Sequence, residues 1–385
     1  PGGVYNAGFT RRWLAERDAQ SSPGGTSWVA DRIDGGDETC ESHMQIREQN
    51  IDFEAFGRSL VRRPPVADSR DLSKLVEHIE VPVYLTGAWQ DEQTGPQFAD
   101  MLGNFENAPV RRFTMFNGRH PDGYSPLVLT RWYEFLELYV DEQVPRIPDV
   151  VRLAAPVVFE QTFKVPGLNF EPDRFPEFGD DEYDEVRAAY EAEPEVRVLF
   201  ENGAGGEIPG APIATFEKSY DSWPPSDTEA RSFYLGTDGA LTARKPRERA
   251  ADTFANDPEA GELGFTTPDG DGLLDPVWEF DWTQHAEGDG LSYVSEPFTE
   301  DTVLGGPGYV ELFLRTNDRD ANVQTSLTII RADGTEWSIA TGLLRVSDRA
   351  IDEERSEGLL VERTYAADDA KPMRGRAYVP VKVAL

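Results

Sequence analysis

Hydrophobic positions along the first 150 residues change period twice. From residue 9 to about residue 80 they fall at irregular helical spacing. Phe9-Thr10-Arg11-Arg12-Trp13-Leu14-Ala15-Glu16-Arg17 opens the stretch, Ile46, Ile51, Phe53, Phe56 and Leu60 continue it, and Arg63-Pro64-Pro65 breaks it. Two short strand-like runs follow, Val81-Pro82-Val83-Tyr84-Leu85-Thr86-Gly87 and Val110-Arg111-Arg112-Phe113-Thr114-Met115-Phe116. Such runs read as buried parallel strands, with a helix over about 95–105 between them. Ser125-Pro126 then has the form of an N-cap with proline in the first helical turn, and Leu129, Trp132, Phe135, Leu136 and Tyr139 recur as one apolar helical stripe. Strand, helix, strand, helix is the closing part of a doubly wound α/β sheet, and that domain is expected to end near Pro148.

The texture changes after residue 149. An acidic connector over about 150–195, centred on Glu177-Phe178-Gly179-Asp180-Asp181-Glu182-Tyr183-Asp184-Glu185, leads into short strand-like runs at 196–200, 233–235, 309–315, 325–331 and 337–340. Asn202-Gly203, Asp238-Gly239 and Asp333-Gly334 punctuate them as turns. Many short strands at this spacing predict an all-β sandwich or jelly roll. The expected division is therefore an α/β domain over 1–148, with a helical insertion at about 9–80, and an all-β domain over 149–385 that ends inside a strand. The insertion reads either as a cap over a pocket or as an ordinary helical subdomain, and both stay open.

Composition narrows the partners. The chain of 385 residues has 71 acidic against 37 basic side chains, a formal charge of −34, which argues against nucleic acid and anionic membrane surfaces. Only six of the basic residues are lysines. A lysine-poor acidic surface suits a salt-rich habitat, and a biased genome composition accounts for it equally well. The single cysteine, Cys40, excludes an internal disulfide and any cysteine-based metal site, and its acidic neighbours make it an inert thiol. No run is apolar for the roughly 18 residues that a spanning helix needs. Whether the protein is cytoplasmic or secreted is left open.

The candidate chemistry lies just past the two apolar strands. Asp91 follows the first and His120 the second, 29 positions later. Loops at the carboxyl ends of parallel strands are where ligands collect in open α/β sheets. Asp and then His is also the order that closes an α/β-hydrolase triad after its serine. Glu92, the next residue along, is the alternative acid. No Gly-x-Ser-x-Gly elbow occurs in the chain, and the sequence starts at Pro1 without a methionine, so it reads as an internal segment with the nucleophile expected upstream. His43, His78 and His285 read as structural histidines, and Trp89 as a core aromatic. Asp318, Asp320 and Asn322 have the oxygen-rich look of a calcium loop but lack its closing glutamate, so they read as a hydrogen-bonded turn, with no metal and no cofactor expected.

Several of these phrases carry a family resemblance. Val81-Pro82-Val83 with Gly87-Ala88-Trp89-Gln90-Asp91, then Asn117-Gly118-Arg119-His120, resembles the Asp and His loops of the CocE/NonD hydrolases, which include cocaine esterase, glutaryl acylases and X-Pro dipeptidyl-peptidases. Leu291-Ser292-Tyr293-Val294-Ser295-Glu296-Pro297-Phe298, Gly308-Tyr309-Val310-Glu311-Leu312, Asp318-Arg319-Asp320-Ala321-Asn322-Val323 and Gly342-Leu343-Leu344-Arg345-Val346-Ser347-Asp348-Arg349 look like phrases of that family's C-terminal jelly roll. The resemblance implies the closing half of an α/β-hydrolase with a helical cap, followed by a jelly-roll β-sandwich. It implies a serine hydrolase acting on ester, amide or X-Pro peptide bonds, with Asp91 and His120 as two triad members and this segment inactive alone. The competing class is a non-catalytic, carbohydrate-binding jelly roll on a degenerate scaffold, to be told apart by whether Trp278, Phe280 and Trp282 are exposed on one face.

Overall fold

The computed structural model describes residues 2–6, 9–21, 26–47, 49, 51–91, 93–208, 210–257, 288–375 and 377–385. The chain divides into two compact units, one of Pro1–Leu75, Tyr309–Thr325 and Gly342–Leu385, the other of Val76–Gly308 and Ser326–Thr341.

The second unit is built on a four-stranded sheet in the order β1 (Val83–Ala88), β2 (Arg111–Phe116), β3 (Val196–Phe200), β4 (Phe216–Tyr220). The first three are parallel, with Val83 opposite Arg111 and Phe113 opposite Val196, and β4 closes the edge antiparallel. Residues 196–200 were expected among the strands of the all-β part. They join the parallel sheet instead, because Val196 and Val198 continue the apolar face that Phe113 and Met115 begin. That face also packs Val76, Ala99, Leu102 and Phe105. The segment expected as a helix near residues 95–105 is a run of 3-10 turns, Pro96–Asn104, which inserts Ala99 and Leu102 into this core.

Alternation of side chains along each strand puts Tyr84, Arg112, Thr114 and Arg197 on the opposite face. Helix α6 (Pro126–Leu136) lies over it, starting at Pro126 as expected and running into a π turn, Glu137–Asp141. Its buried side is partly polar. Thr130 and Glu134 are buried, whereas Trp132, counted in the apolar stripe, is 48% exposed. The sheet beneath is polar as well, and its two buried arginines need acceptors from the elements around them. Arg197 donates to Glu217 Oε2 at 2.5 Å, to Leu127 O at 2.9 Å and to Glu171 Oε1 at 3.2 Å. Arg112 donates to Tyr190 O at 2.5 Å and lies 4.9 Å from the Tyr190 ring centroid. Arg174 bridges Glu134 at 2.6 Å and Glu193 at 2.5 Å, around a polar cavity of about 210 Å³.

The stretch read as an acidic connector is folded. Helix α7 (Asp149–Phe163) buries Phe159 and Phe163 against Val165 and Leu168, and α8 (Tyr183–Glu191) buries Val186 and Tyr190 against Leu138, Val144 and Phe175. Its acids occupy the solvent side of amphipathic helices, which composition alone cannot distinguish from a linker. Farther along, β5 (Tyr234–Leu235), β6 (Ala240–Thr242) and β7 (Val294–Ser295) form a small sheet, with the expected turn at Asp238 and Gly239 in left-handed conformations.

In the first unit the amino-terminal helices are α1 (Phe9–Ser21), α2 (Ser27–Asp34), α3 (Glu38–Arg47), α4 (Phe53–Ser59) and α5 (Leu72–Leu75). Strands β8 (Tyr309–Leu314) and β11 (Val379–Ala384) pair antiparallel over a core of Leu344, Val346, Met373, Val381 and Val383. Arg62 to Asp348 at 3.0 Å and the Arg63 amide to Tyr365 O at 2.9 Å tie the helical stretch to these strands. Strands β9 (Asn322–Ile330) and β10 (Glu336–Arg345) form a hairpin whose tip turns at Asp333-Gly334 as the sequence predicts. Residues 326–341 of that hairpin belong to the second unit.

Candidate active site

Because β1 and β2 are parallel and in register from Val83–Arg111 to Ala88–Phe116, their carboxyl ends lie side by side and the following loops are neighbours. One further rung, Trp89 N–H to Phe116 O at 3.1 Å, extends the ladder, and then the chain departs from strand geometry. Gly118 has φ +145°, and a Cβ there would sit 2.3 Å from Asp122 Oδ2, so only glycine makes this turn. Asp122 Oδ2 accepts the Arg119 amide at 2.8 Å and shapes the 3-10 turn His120–Tyr124 that leads into α6.

The Asp91 carboxylate is oriented by its own loop. Oδ1 accepts the amides of Gln93 at 2.7 Å and Thr94 at 2.9 Å. Oδ2 stands 2.9 Å from Nδ1 of His120. The Asp91 side chain is 8% exposed and that of His120 is 40% exposed. Burial alone would raise the Asp91 pKa; the hydrogen bonds from His120 and from the Thr94 and Gln93 amides outweigh it and hold the carboxyl below the ordinary aspartate value. A buried, ionised acid fixed on Nδ1 sets the ring's tautomer, the arrangement in which an imidazole does proton-transfer chemistry through Nε2.

The two residues singled out from the sequence, Asp91 and His120, are thus brought together. Glu92, the alternative acid, lies outside the described residues, as do His285, Trp278, Phe280 and Trp282. Trp89 packs on the sheet core, 5.7 Å from Trp223 and 6.2 Å from Phe98 between ring centroids, in keeping with a core role. Asp320 Oδ1 accepts the amides of Ala321 and Ser347 at 3.0 and 2.8 Å, a hydrogen-bonded turn, and among the described residues no three acidic, histidine or cysteine side chains form a metal cluster. Cys40 is a half-buried free thiol on α3. Sequence reasoning missed Gln90, which the structure places between the two loops. A polar residue flanked by Trp89 and Asp91 at a strand end was the available signal.

Residues 188–385 match the family model described as the X-Pro dipeptidyl-peptidase C-terminal non-catalytic domain. The chain belongs to the X-Pro dipeptidyl-peptidase-like, CocE/NonD family. Two crystal structures of a CocE/NonD family hydrolase from Staphylococcus aureus superpose on the whole chain at TM-scores of 0.60 and 0.55, each with 15% identity and 52% of its own length covered. An aminopeptidase from a marine sediment Thaumarchaeota archaeon matches 89% of the chain at a TM-score of 0.53 and 16% identity, with 51% of its length covered. At these identities the likeness is one of fold, a mixed α/β architecture. The chain spans about half the length of these structures. No curated protein sequence matches it. The family match starts inside α8 and takes in β3 and β4, so the segment named non-catalytic includes two strands of the sheet that carries Asp91 and His120. No helix among the described residues is long and apolar enough to cross a membrane.

Proposed function

We propose that this chain supplies the acid and the base of a CocE/NonD-type serine hydrolase that cleaves ester or amide bonds, X-Pro peptide bonds among them. The observation that carries the reading is the 2.9 Å contact between Asp91 Oδ2 and His120 Nδ1 at the ends of adjacent parallel strands. In this reading His120 Nε2 takes the proton of a serine hydroxyl lying outside the chain, and Asp91 stabilises the imidazolium. The proton then passes to the leaving alcohol or amine, and water repeats the cycle on the acyl-enzyme. The same proposal makes β1 to β3 the closing strands of an α/β-hydrolase sheet, helices α1 to α5 its cap, and the later strands a jelly roll. Substrates are small esters, amides or peptides, with no nucleic acid or membrane partner.

A fluorophosphonate probe tests this. The full-length gene product is expected to be labelled on serine and to hydrolyse a p-nitrophenyl ester or an X-Pro anilide, while the 385-residue chain stays unlabelled. A full-length product that neither labels nor hydrolyses favours instead a degenerate scaffold bearing a binding module.

A further inference from the structure

We propose that Gln90 is a positioning residue for the Asp91–His120 pair, held in turn by the β9–β10 hairpin of the segment that the family model names non-catalytic. Its effect on turnover rests on the hydrolase reading above; its effect on the imidazole does not.

Beyond Phe116 no strand ladder holds the His loop against the Asp loop, and the Gln90 side chain takes over that task. Its Oε1 accepts the Gly118 amide at 2.5 Å, and its own backbone amide donates to Gly118 O at 3.2 Å. Gln90 is the residue before Asp91, and Gly118 stands two before His120, so this pair of bonds sets the separation that the 2.9 Å Asp–His contact needs. The other end of the amide is tethered: Nε2 donates to Ile339 O on β10 at 2.6 Å. A primary amide is the group that accepts and donates at once over this reach, and no charged or apolar side chain of similar size does both.

A second tie runs in parallel. Asn117 Oδ1 accepts the Glu201 amide at 3.0 Å, the Glu201 carboxylate pairs with Arg331 at 2.7 Å, and the Arg331 guanidinium lies 4.5 Å from the Trp337 ring centroid. The space left between these groups is about 20 Å³, room for one water, so the hairpin is packed onto the loops rather than hung over a cleft. Both anchors, Ile339 O and Arg331, lie in residues 326–341, which fall in the same compact unit as Asp91 and His120 and inside the matched 188–385 segment.

The test reads the imidazole directly. The chain is labelled with ¹⁵N-histidine, the His120 ring signals are assigned by their loss in His120→Ala, and the tautomer is read from the ring nitrogen shifts at a pH where the ring is neutral. The native chain is expected to show the Nδ1–H form alone. Gln90→Leu is expected to give a mixture of tautomers with circular dichroism unchanged, and Gln90→Glu the same, since a carboxylate cannot donate to Ile339 O. Arg331→Met should shift the mixture less. If Gln90→Leu does not fold, Gln90→Asn, one methylene shorter, provides the same readout. In the full-length enzyme Gln90→Leu should lower kcat by about 10- to 100-fold with KM changed by less than about twofold. A pure Nδ1–H signal in both the Leu and Glu variants overturns the proposal, as does a loss of stability without a tautomer change, the mark of a merely structural role. Failure of the hydrolase reading looks different: the tautomer shifts, and the full-length protein has no activity to lose.

Discussion

Strands β1 to β3 carry two clusters of charged and polar side chains, and the clusters are built on opposite plans. On the face beneath α6, Arg112, Arg197 and Arg174 meet Glu217, Glu171, Glu134 and backbone carbonyls, mostly within 3.3 Å. Each guanidinium donates to at least two acceptors, and the side chains of Glu134 and Arg197 are 4% and 10% exposed. At the carboxyl ends of the same strands Asp91 meets His120. There the acid is committed to its loop and to Nδ1, and the ring is 40% exposed. Multiple pairing makes a network that specifies packing; a fixed acid behind a solvent-reaching base makes a group that can exchange protons with something that arrives. Sheet position separates the two, since face positions are covered by helices whereas strand ends are not.

If that contrast is right, mutations should divide cleanly between activity and folding. The largest effect is expected at the strand ends. In the full-length enzyme His120→Ala and Asp91→Asn should each lower kcat by about 10⁴-fold while the melting temperature moves by only a few degrees. Retention of kcat by either variant would remove the chemical half of the comparison. On the covered face the result should be reversed. Arg197→Met removes the partner from half-buried Glu171, from the more exposed Glu217 and from Leu127 O, a loss of about 1–3 kcal/mol. Urea titration should show that loss, with kcat of the folded fraction unchanged.

Why one cluster was legible in the sequence and the other was not follows from periodicity. The strands showed because Val83, Leu85, Phe113 and Met115 make short apolar runs, and the Asp–His pair showed because each residue follows such a run by a few positions. Arg112 and Arg197 interrupt those runs and gave no sign that they were buried, since a buried arginine is recognised only through partners distant in the chain, as Tyr190 is from Arg112 by 78 positions and Leu127 from Arg197 by 70. Trp132 was misplaced for the same reason, because which side of α6 is buried depends on the polar sheet under it. The acidic stretch at 177–185 concealed α8, whose buried face is only Val186 and Tyr190. Gln90 offered only the signal of a polar residue at a strand end, because its role is defined by Gly118 and Ile339, 28 and 249 positions off.

Acid and alkali should separate the clusters by sign. The Asp91 carboxyl titrates below the ordinary aspartate value of 3.8, so its contribution to stability is complete above that pH and is lost as the pH falls through the folded value. The stability gap between the wild-type chain and Asp91→Asn should therefore shrink as the pH falls below about 4. Glu134 behaves oppositely. Burial, with Glu193 and Glu171 nearby, pushes its pKa up from 4.5, so the folded state holds the proton more tightly and stability declines as pH rises above that value. Glu134→Gln should flatten that decline. Equal slopes in wild type and Glu134→Gln would mean that the covered face does not titrate as its burial requires.

The smallest effect expected is that of salt, and it tests whether the two clusters differ in exposure as well as in role. With a formal charge of −34 the folded chain repels itself, and the Debye length of about 8 Å at physiological ionic strength screens that repulsion only partly. Raising sodium chloride from low to molar concentration should lift the melting temperature by a few degrees. Exposed pairs such as Arg187 with Glu191, at 2.8 Å, lose what little they contribute over the same range. Arg197 itself is 10% exposed and its contacts with Glu171 and Leu127 O are screened less than such surface pairs, so the deficit of Arg197→Met relative to wild type should change little between the two salt concentrations. A deficit that fades in molar salt would show the network to be solvated, and with it the distinction between a closed structural cluster and an open chemical one would rest on the strand-end geometry alone.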